Sequence, residues 1–233
     1  MGQDFMTERR NNVPVIRADR LSKSFGKAEV LKQLSVDFNE GDRIALVGQN
    51  GAGKTTLIRC ILGQYVYDGQ LHVLGKNPRS HRVDILKEVG FVPQIPPPLK
   101  ITVKELLKFF SDLSGVRQEE YMDIAEKLGL QITDSYNKPF VALSGGMKQK
   151  LLVAFALGKK PAILLMDEPS ANLDPAAREI FFDYLSKYNK EALLVLSSHR
   201  MTEIEGLVNR VVEMDFGRIV LDKVLKPVEN SNV

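Results

Sequence analysis

Residues 48–56 read Gly-Gln-Asn-Gly-Ala-Gly-Lys-Thr-Thr and fit the pattern G-x-x-x-x-G-K-[ST], the phosphate-binding P-loop. The apolar run at 43–47 before it is typical of a short buried strand, and residues 56–62 after it predict a helix that ends near Gly63. Glycines allow successive backbone N–H groups to curl around an anion, and a helix N-terminus adds partial positive charge. The sequence therefore predicts a nucleotide-binding loop between a strand and a helix.

The bulk composition limits the classes of protein to consider. The chain has 233 residues, which suits one large domain or one domain with a sizeable insertion. Its net charge is only +3 and no block of five like charges occurs, so a nucleic-acid partner is not indicated. No apolar run approaches the ~18 residues that a membrane helix needs, and the N-terminus lacks a signal-peptide pattern.

Cysteine and histidine usage indicates neither a disulfide framework nor a metal cluster. Cys60 is the only cysteine and lies in the predicted helix after the P-loop, where we expect a small buried hydrophobe. This fits a reducing cytoplasm. His72, His81 and His199 lack metal-ligand spacing.

Strand and helix patterns alternate around the P-loop, which predicts an α/β fold with a mostly parallel sheet. Short strands are expected at 13–19, 34–39 and 70–74. A stiff proline run at 96–98 is followed by a helix that Thr102 and Glu105 open as a capping box. A second helix at 118–128 stops at Gly129, so residues 95–142 are predicted to be a helical insertion.

The segment 163–168 is an apolar strand that ends in two adjacent carboxylates, Asp167 and Glu168. An aspartate at such a strand end helps to hold Mg²⁺ in P-loop ATPases. Because side chains alternate along a strand, the two acids can take separate roles. We assign Asp167 to the Mg²⁺ shell and Glu168 to orienting and deprotonating an attacking water.

Residues 143–147, Leu-Ser-Gly-Gly-Met, indicate a second segment that could bind phosphate. Ser144 is a predicted N-cap, and Gly145 and Gly146 leave the amides of a helix start uncovered. Asp174 and Pro175 predict another helix start, with aspartate as the N-cap and proline at the first helical position.

The motifs together resemble the ATP-binding-cassette (ABC) ATPase family over nearly the whole chain. They occur in the family's order: GQNGAGKTT at 48–56, a glutamine at 94, LSGGM at 143–147, LLMDEP at 164–169, ANLD at 171–174 and a histidine at 199. The resemblance implies an antiparallel β portion beside the nucleotide-binding core. It also implies one domain at 13–228 with the helical subdomain at 95–142, and the polar residues 1–12 before it predict a flexible tail.

The resemblance extends the list of site residues. Phe25 matches the aromatic that stacks on adenine, where the family usually has tyrosine. The implied nucleotide-binding residues are Phe25, Gly48, Gln49, Asn50, Gly51, Ala52, Gly53, Lys54, Thr55 and Thr56. Catalysis is expected from Glu168, His199 and Lys54, metal binding from Thr55, Gln94 and Asp167, and a signature acting across a dimer from Ser144, Gly145, Gly146 and Asp174.

The function that the resemblance implies is ATP hydrolysis, with ATP and Mg²⁺, in a head-to-tail homodimer or a pair with a related cassette. The chain would power a separate transmembrane permease from the cytoplasmic face of a membrane, and the segment after Gln94 would dock there. Residues 146–150, Gly-Met-Lys-Gln-Lys, look like those of export-type cassettes. A soluble ABC ATPase on a non-membrane assembly remains an alternative, as does a nucleotide-gated switch, although Glu168 argues against the switch. A GTPase lacks support because no N/T-K-x-D motif is present.

Overall fold

The computed structural model describes residues 13–198 and 201–225. The predicted tail at 1–12, the C-terminal residues beyond 225 and His199 lie outside the described residues. The strands are β1 (Ile16–Phe25), β2 (Ala28–Phe38), β3 (Arg43–Val47), β4 (Asp68–Val73), β5 (Val89–Val92), β6 (Ile163–Asp167), β7 (Leu193–Ser197), β8 (Arg210–Asp215) and β9 (Arg218–Val224).

Helices connect most of the strands. They are α1 (Lys54–Ile61), α2 (Arg82–Lys87), α3 (Val103–Ser114), α4 (Gln118–Lys127), α5 (Gly145–Gly158), α6 (Pro175–Lys187) and α7 (Met201–Ile204), with 3₁₀ turns at Thr133–Ser135, Phe140–Ala142 and Glu205–Leu207. The predicted start of α1 at residue 56 is wrong by two residues. Gly53 takes a φ of 107° at the N-cap, so the helix begins directly after it.

Two sheets form the β structure. One is antiparallel with the order β2-β1-β4, and the other has the order β5-β6-β7-β3-β8-β9. Within the second, only the β8–β9 pair is antiparallel among the pairings of the described strands. The predicted α/β fold with a mostly parallel sheet and an antiparallel β portion is confirmed.

The first two strands are longer than the sequence predicted. Polar residues such as Ser22 and Lys23 interrupt the apolar alternation that marks a half-buried strand. The β1–β2 ladder nevertheless continues from Ile16 to Phe25 through register shifts, the first between Ala18 and Leu21. Backbone pairing therefore extends the hairpin where side-chain pattern gives no signal.

The parallel strands are buried on both faces, which is why β6 and β7 are continuous apolar runs. Their carboxyl ends meet those of β3 and β5 at one edge of the sheet. In open α/β sheets, ligands bind outside the carboxyl ends of the strands. This edge therefore collects the P-loop after β3, Gln94 after β5 and the acidic pair at the end of β6.

The N-caps that the sequence predicted are confirmed. Thr102 and Glu105 form the capping box of α3, while the side chains of Ser144 and Asp174 accept hydrogen bonds from Met147 and Ala177. Helices α3, α4 and α5 share a hydrophobic cluster separate from the sheet cores. Its largest fully buried members are Tyr121 and Phe140.

The structure also bears on the environment of Cys60 and on the length of the helices. Cys60 is fully buried in α1, and burial raises the pKa of its thiol to about 11, as suits a small core hydrophobe. None of the helices in the described ranges is long and apolar enough to cross a membrane.

Candidate nucleotide-binding and hydrolysis site

The P-loop after β3 has a shape that requires glycine. Gly48, Gly51 and Gly53 all have positive φ. A Cβ on Gly48 would lie 2.2 Å from the carbonyl oxygen of Met214, and one on Gly53 would lie 2.9 Å from Leu31. The loop is thus packed closely against β2 and β8, which leaves no room for a side chain at Gly48 or Gly53.

Lys54 lies within the curve of this loop. Its Nζ donates hydrogen bonds to the backbone oxygens of Gly48 at 2.6 Å and Gln49 at 3.2 Å, and the residue is only 8% exposed. An ammonium group has three donors. A phosphate oxygen could therefore accept a hydrogen bond from the Lys54 ammonium in place of either backbone carbonyl.

Asp167 at the end of β6 is held from two sides. Thr55 Oγ1 donates to Asp167 Oδ2 at 2.7 Å, and Ser197 Oγ donates to Asp167 Oδ1 at 2.6 Å. The carboxylate is buried, and Ser197 lies opposite it in the parallel β6–β7 pair. A hydroxyl and a carboxylate oxygen beside a phosphate loop are the hard donors that Mg²⁺ prefers, so these residues fit the metal.

Glu168 follows with a left-handed backbone conformation, at a φ of 51°. Its N–H donates to Ser197 Oγ at 3.0 Å and faces the Ser197 backbone oxygen at 3.2 Å. Left-handed backbone in a residue other than glycine costs free energy and persists where surrounding contacts enforce it. Ser197 therefore stabilises the left-handed backbone of Glu168, at which the chain leaves β6 directly after Asp167.

One cavity of about 320 Å³ brings most of the predicted residues together. Besides Val30 of β2, its lining residues were all predicted from sequence: Asn50, Gly51, Ala52, Gly53, Lys54, Thr55, Thr56, Gln94, Asp167 and Glu168. The P-loop, the glutamine after β5 and both acids therefore surround a single space. Such a space can hold a polyphosphate, a metal ion and a water.

Phe25 lies outside this cavity, at the end of β1. It is 45% exposed and pairs with Ala28 in the β1–β2 hairpin, whose residue Val30 does line the cavity. The structure therefore separates the predicted adenine-stacking ring from the cavity that the predicted phosphate-binding residues line.

The signature residues are not part of the P-loop cavity. Ser144 and Gly145 are exposed, and a Cβ on Gly145 would meet open space. Their helix is tied to the segment after the acids, because Gln149 Nε2 donates to the backbone oxygen of Pro169 at 3.0 Å. Within one chain, the two predicted phosphate-binding segments therefore lie in different places.

Asp174 connects to the same helix. Lys150 Nζ lies 2.7 Å from Asp174 Oδ2, and this contact, with the N-cap bond from Ala177, holds the pKa of Asp174 below its usual value. Asp174 is thus both the N-cap of α6 and an ion-pair partner of the signature helix.

Sequence reasoning missed Ser197, which contacts both acids. The sequence shows a serine at the end of an apolar run, but it does not show that this run pairs with the acidic strand. His199, by contrast, was predicted and lies outside the described residues, so its role stays a prediction.

A larger cavity of about 810 Å³ lies elsewhere, among α4, α5 and α6, and none of the predicted site residues lines it. Each of its three lysines forms an ion pair with a neighbouring acid. The pairs are Lys127–Asp123, Lys160–Glu120 and Lys187–Asp183. Because these three lysines are already paired with carboxylates, they do not form a cationic site for phosphate. The smaller polar cavity, with Lys54, is therefore the better candidate for a nucleotide site.

The fold and the small cavity define a P-loop nucleotide-binding protein. A family profile described as "ABC transporter" matches residues 31–171. That range is more than half of the chain, and the chain belongs to this family.

Relatives with described roles include both importers and exporters. A phosphate import ATP-binding protein, PstB 1 of Enterococcus faecalis, is 30% identical, and the alignment covers 84% of each protein. A Nod factor export ATP-binding protein of Rhizobium etli is 34% identical over 87% of this chain and 66% of that protein. ATP-binding cassette sub-family A member 2 of Rattus norvegicus is 32% identical over 92% of this chain, which spans only 9% of that much longer protein.

A solved structure agrees in fold. It is described as a dimeric post-hydrolysis state of an ATP-binding cassette bound to ADP and Pi, with a TM-score of 0.79 and 20% identity. The superposition covers 91% of this chain and 99% of that one.

Proposed function

We propose that this chain is the ATP-binding and ATP-hydrolysing subunit of an ABC transporter. The observation that carries the proposal is the single cavity in which the P-loop, Gln94, Asp167 and Glu168 meet. Family membership supports ATP as the nucleotide.

The binding residues divide the work by chemistry. Lys54 neutralises the β- and γ-phosphates, and the P-loop amides cradle them. Thr55 and Asp167 hold the Mg²⁺ shell, with Gln94 at the same cavity wall. The metal supplies charge neutralisation at the phosphates when it is bound.

Glu168 acts as the general base in this proposal. It is 8% exposed and lines the phosphate cavity, and Ser197 fixes the turn on which it lies. A positioned base of this kind accelerates proton transfer by roughly 10²–10⁴-fold. His199 is assigned to the γ-phosphate on the family pattern alone.

The chain works as a head-to-tail dimer, either with itself or with a related cassette. The exposed signature of one subunit, with Ser144, Gly145, Gly146 and Asp174, completes the ATP site of the other. Support comes from the separation of the two segments within one chain and from the open space at Gly145. ATP then favours closure because it contacts both subunits only in the closed state.

Coupling to a transmembrane permease uses the groove between α2 and α3. Two large apolar side chains that line it are exposed: Val83 at 72% and Leu113 at 62%. Adjoining cavities of about 530 and 220 Å³ lie between them and Lys159, which donates to the backbone oxygen of Val89. The segment after Gln94 that the sequence indicated lines neither cavity, but its Ile95 and Ile101 are also exposed and belong to the proposed docking surface.

The domain and system assignments follow. Residues 95–142 form the helical subdomain of one domain at 13–228, supported by their own hydrophobic cluster with α5. The system is of the export type, on the pattern at 146–150, and the subunit lies at the cytoplasmic face of the membrane.

Two measurements test the proposal. Purified protein should bind ATP and hydrolyse it with Mg²⁺, and absence of ATP binding would contradict the proposal outright. In cells, Leu113→Glu should release the protein from membranes while its ATPase activity is retained. Val220→Glu is the matched control, because Val220 is 57% exposed on β9, away from the groove. Retention of the Leu113 variant on membranes at the level of the control would contradict docking through this groove, and absence of the wild-type protein from membranes would favour a non-membrane partner.

A further inference from the structure

The ring of Phe25 is packed against a second aromatic ring. Phe25 and Tyr65 lie edge to face, with centroids 5.1 Å apart and an interplanar angle of 82°. Tyr65 belongs to the segment between α1 and β4, so the contact joins two separate parts of the chain. Edge-to-face pairs at this separation are attractive beyond the area that they bury.

Tyr65 is itself anchored to the P-loop helix. Arg59 Nη1, in the last turn of α1, donates to the Tyr65 hydroxyl at 2.7 Å, and the Arg59 guanidinium lies 5.7 Å from the Tyr65 ring centroid. Because α1 begins at Lys54, a chain of contacts runs from the phosphate-binding helix through Arg59 and Tyr65 to Phe25.

A cation also contacts both rings. Lys23 Nζ lies 4.6 Å from the centroid of Phe25 and 5.7 Å from that of Tyr65. Phe25 has no hydroxyl that could fix its orientation through a hydrogen bond. Its ring direction must therefore come from packing, and Tyr65 and Lys23 supply that packing while 45% of Phe25 stays exposed.

We propose that Tyr65 is a positioning residue for base recognition: anchored by Arg59, it holds the Phe25 ring in the orientation that stacks on the adenine of ATP. The inference rests on the proposed ATP-binding function and on the stacking role that the family resemblance implies for Phe25, and it adds the residue that orients this ring without a tyrosine hydroxyl. Since stacking depends on ring orientation, loss of the Tyr65 edge weakens binding of the base and leaves binding of the phosphates unchanged.

The test compares ATP with inorganic tripolyphosphate, which has no base, by calorimetric titration in the presence of Mg²⁺. Tyr65→Leu should weaken ATP binding by about 2- to 10-fold, the range for an aromatic pair, with unchanged tripolyphosphate affinity. Tyr65→Phe, which keeps the ring and loses the bond from Arg59, should give a smaller loss of the same kind. Tyr67→Phe is the matched control, two residues away, and should leave both affinities unchanged.

A double variant separates this inference from the proposed function. In the Phe25→Ala background, Tyr65→Leu should cause no further loss of ATP affinity. Suppose that Phe25→Ala lowers ATP affinity, while Tyr65→Leu changes the affinity for neither ATP nor tripolyphosphate. The positioning role of Tyr65 is then wrong, and the stacking role of Phe25 stands. If Tyr65→Leu weakens both ligands equally, Tyr65 is structural and the inference fails. If Phe25→Ala leaves ATP affinity unchanged, stacking itself is wrong and the inference fails with it.

Discussion

The P-loop and the signature segment are both glycine-rich starts of helices, but the P-loop is bonded within the chain while the start of the signature segment is exposed. Around the P-loop, Lys54 is buried and bonded to Gly48 and Gln49, and Thr55 is bonded to Asp167. At the signature, Ser144 and Gly145 are exposed, and the space where a Gly145 side chain would lie is open.

The difference indicates where each half of a site finds its complement. The P-loop half is organised within the chain, with its cation and carboxylate already in place. In the signature half, the start of α5 is exposed. The contacts to Pro169 and Asp174 are made by Gln149 and Lys150, which lie further along the same helix. This arrangement is the one expected if the signature completes a site in another subunit.

The largest effect is expected from the organised half. Lys54→Ala should abolish tight ATP binding, because it removes the cation that neutralises the phosphates. The measurement is equilibrium binding of ATP, with Lys108→Ala as the control, since Lys108 is an exposed lysine on α3. Undiminished ATP binding by the Lys54 variant would remove the P-loop assignment.

Glu168→Gln should separate binding from chemistry. The change keeps the size of the side chain and removes the base, so turnover should fall roughly 10²–10⁴-fold while ATP binding persists. Single-turnover hydrolysis measures this, with Glu179→Gln on α6 as the control. Normal hydrolysis would assign the base elsewhere.

Ser197→Ala should have an intermediate effect that appears in the metal dependence. It removes the donor to Asp167 Oδ1 and one of the two acceptors for the Glu168 N–H, and leaves the Ser197 backbone oxygen in place. Loss of such supporting contacts typically lowers metal affinity or activity by about 10- to 100-fold. Binding of ATP with and without Mg²⁺ tests this, because only binding with Mg²⁺ should weaken. Equal losses in both conditions would indicate a general packing defect.

The smallest effect distinguishes the signature from an ordinary helix start. Ser144→Ala and Thr102→Ala each remove an N-cap and should each lower the free energy of unfolding by about 1 kcal/mol. Only Ser144→Ala should also weaken ATP-dependent dimerisation, measured by sedimentation. If Thr102→Ala weakens dimerisation equally, the loss reflects stability rather than a signature contact.

The sequence predicted the P-loop, the acidic strand and the helix caps because each depends on local residue order. It could not predict Ser197, whose role arises only when β7 pairs with β6 and places Ser197 opposite Asp167. The same holds for Tyr65, which meets Phe25 through tertiary packing. Motifs report the groups that touch ligand, while the residues that position them depend on which strands become neighbours.

The most direct test of the composite site mixes two inactive variants. Gly145→Asp puts a carboxylate where the γ-phosphate should dock, and like charges at such range cost several kcal/mol. That variant should bind ATP through its own P-loop but neither dimerise nor hydrolyse it. Lys54→Ala has the opposite defect, a damaged P-loop beside a sound signature.

In a mixed dimer, one composite site carries both lesions and the other carries neither. ATP-dependent crosslinking between the two variants should therefore appear on mixing, together with partial ATPase activity if a single intact site suffices for turnover. Crosslinking is the decisive readout because it does not require both sites to turn over. If wild-type protein crosslinks and the mixture yields neither crosslinks nor activity, the head-to-tail site is contradicted.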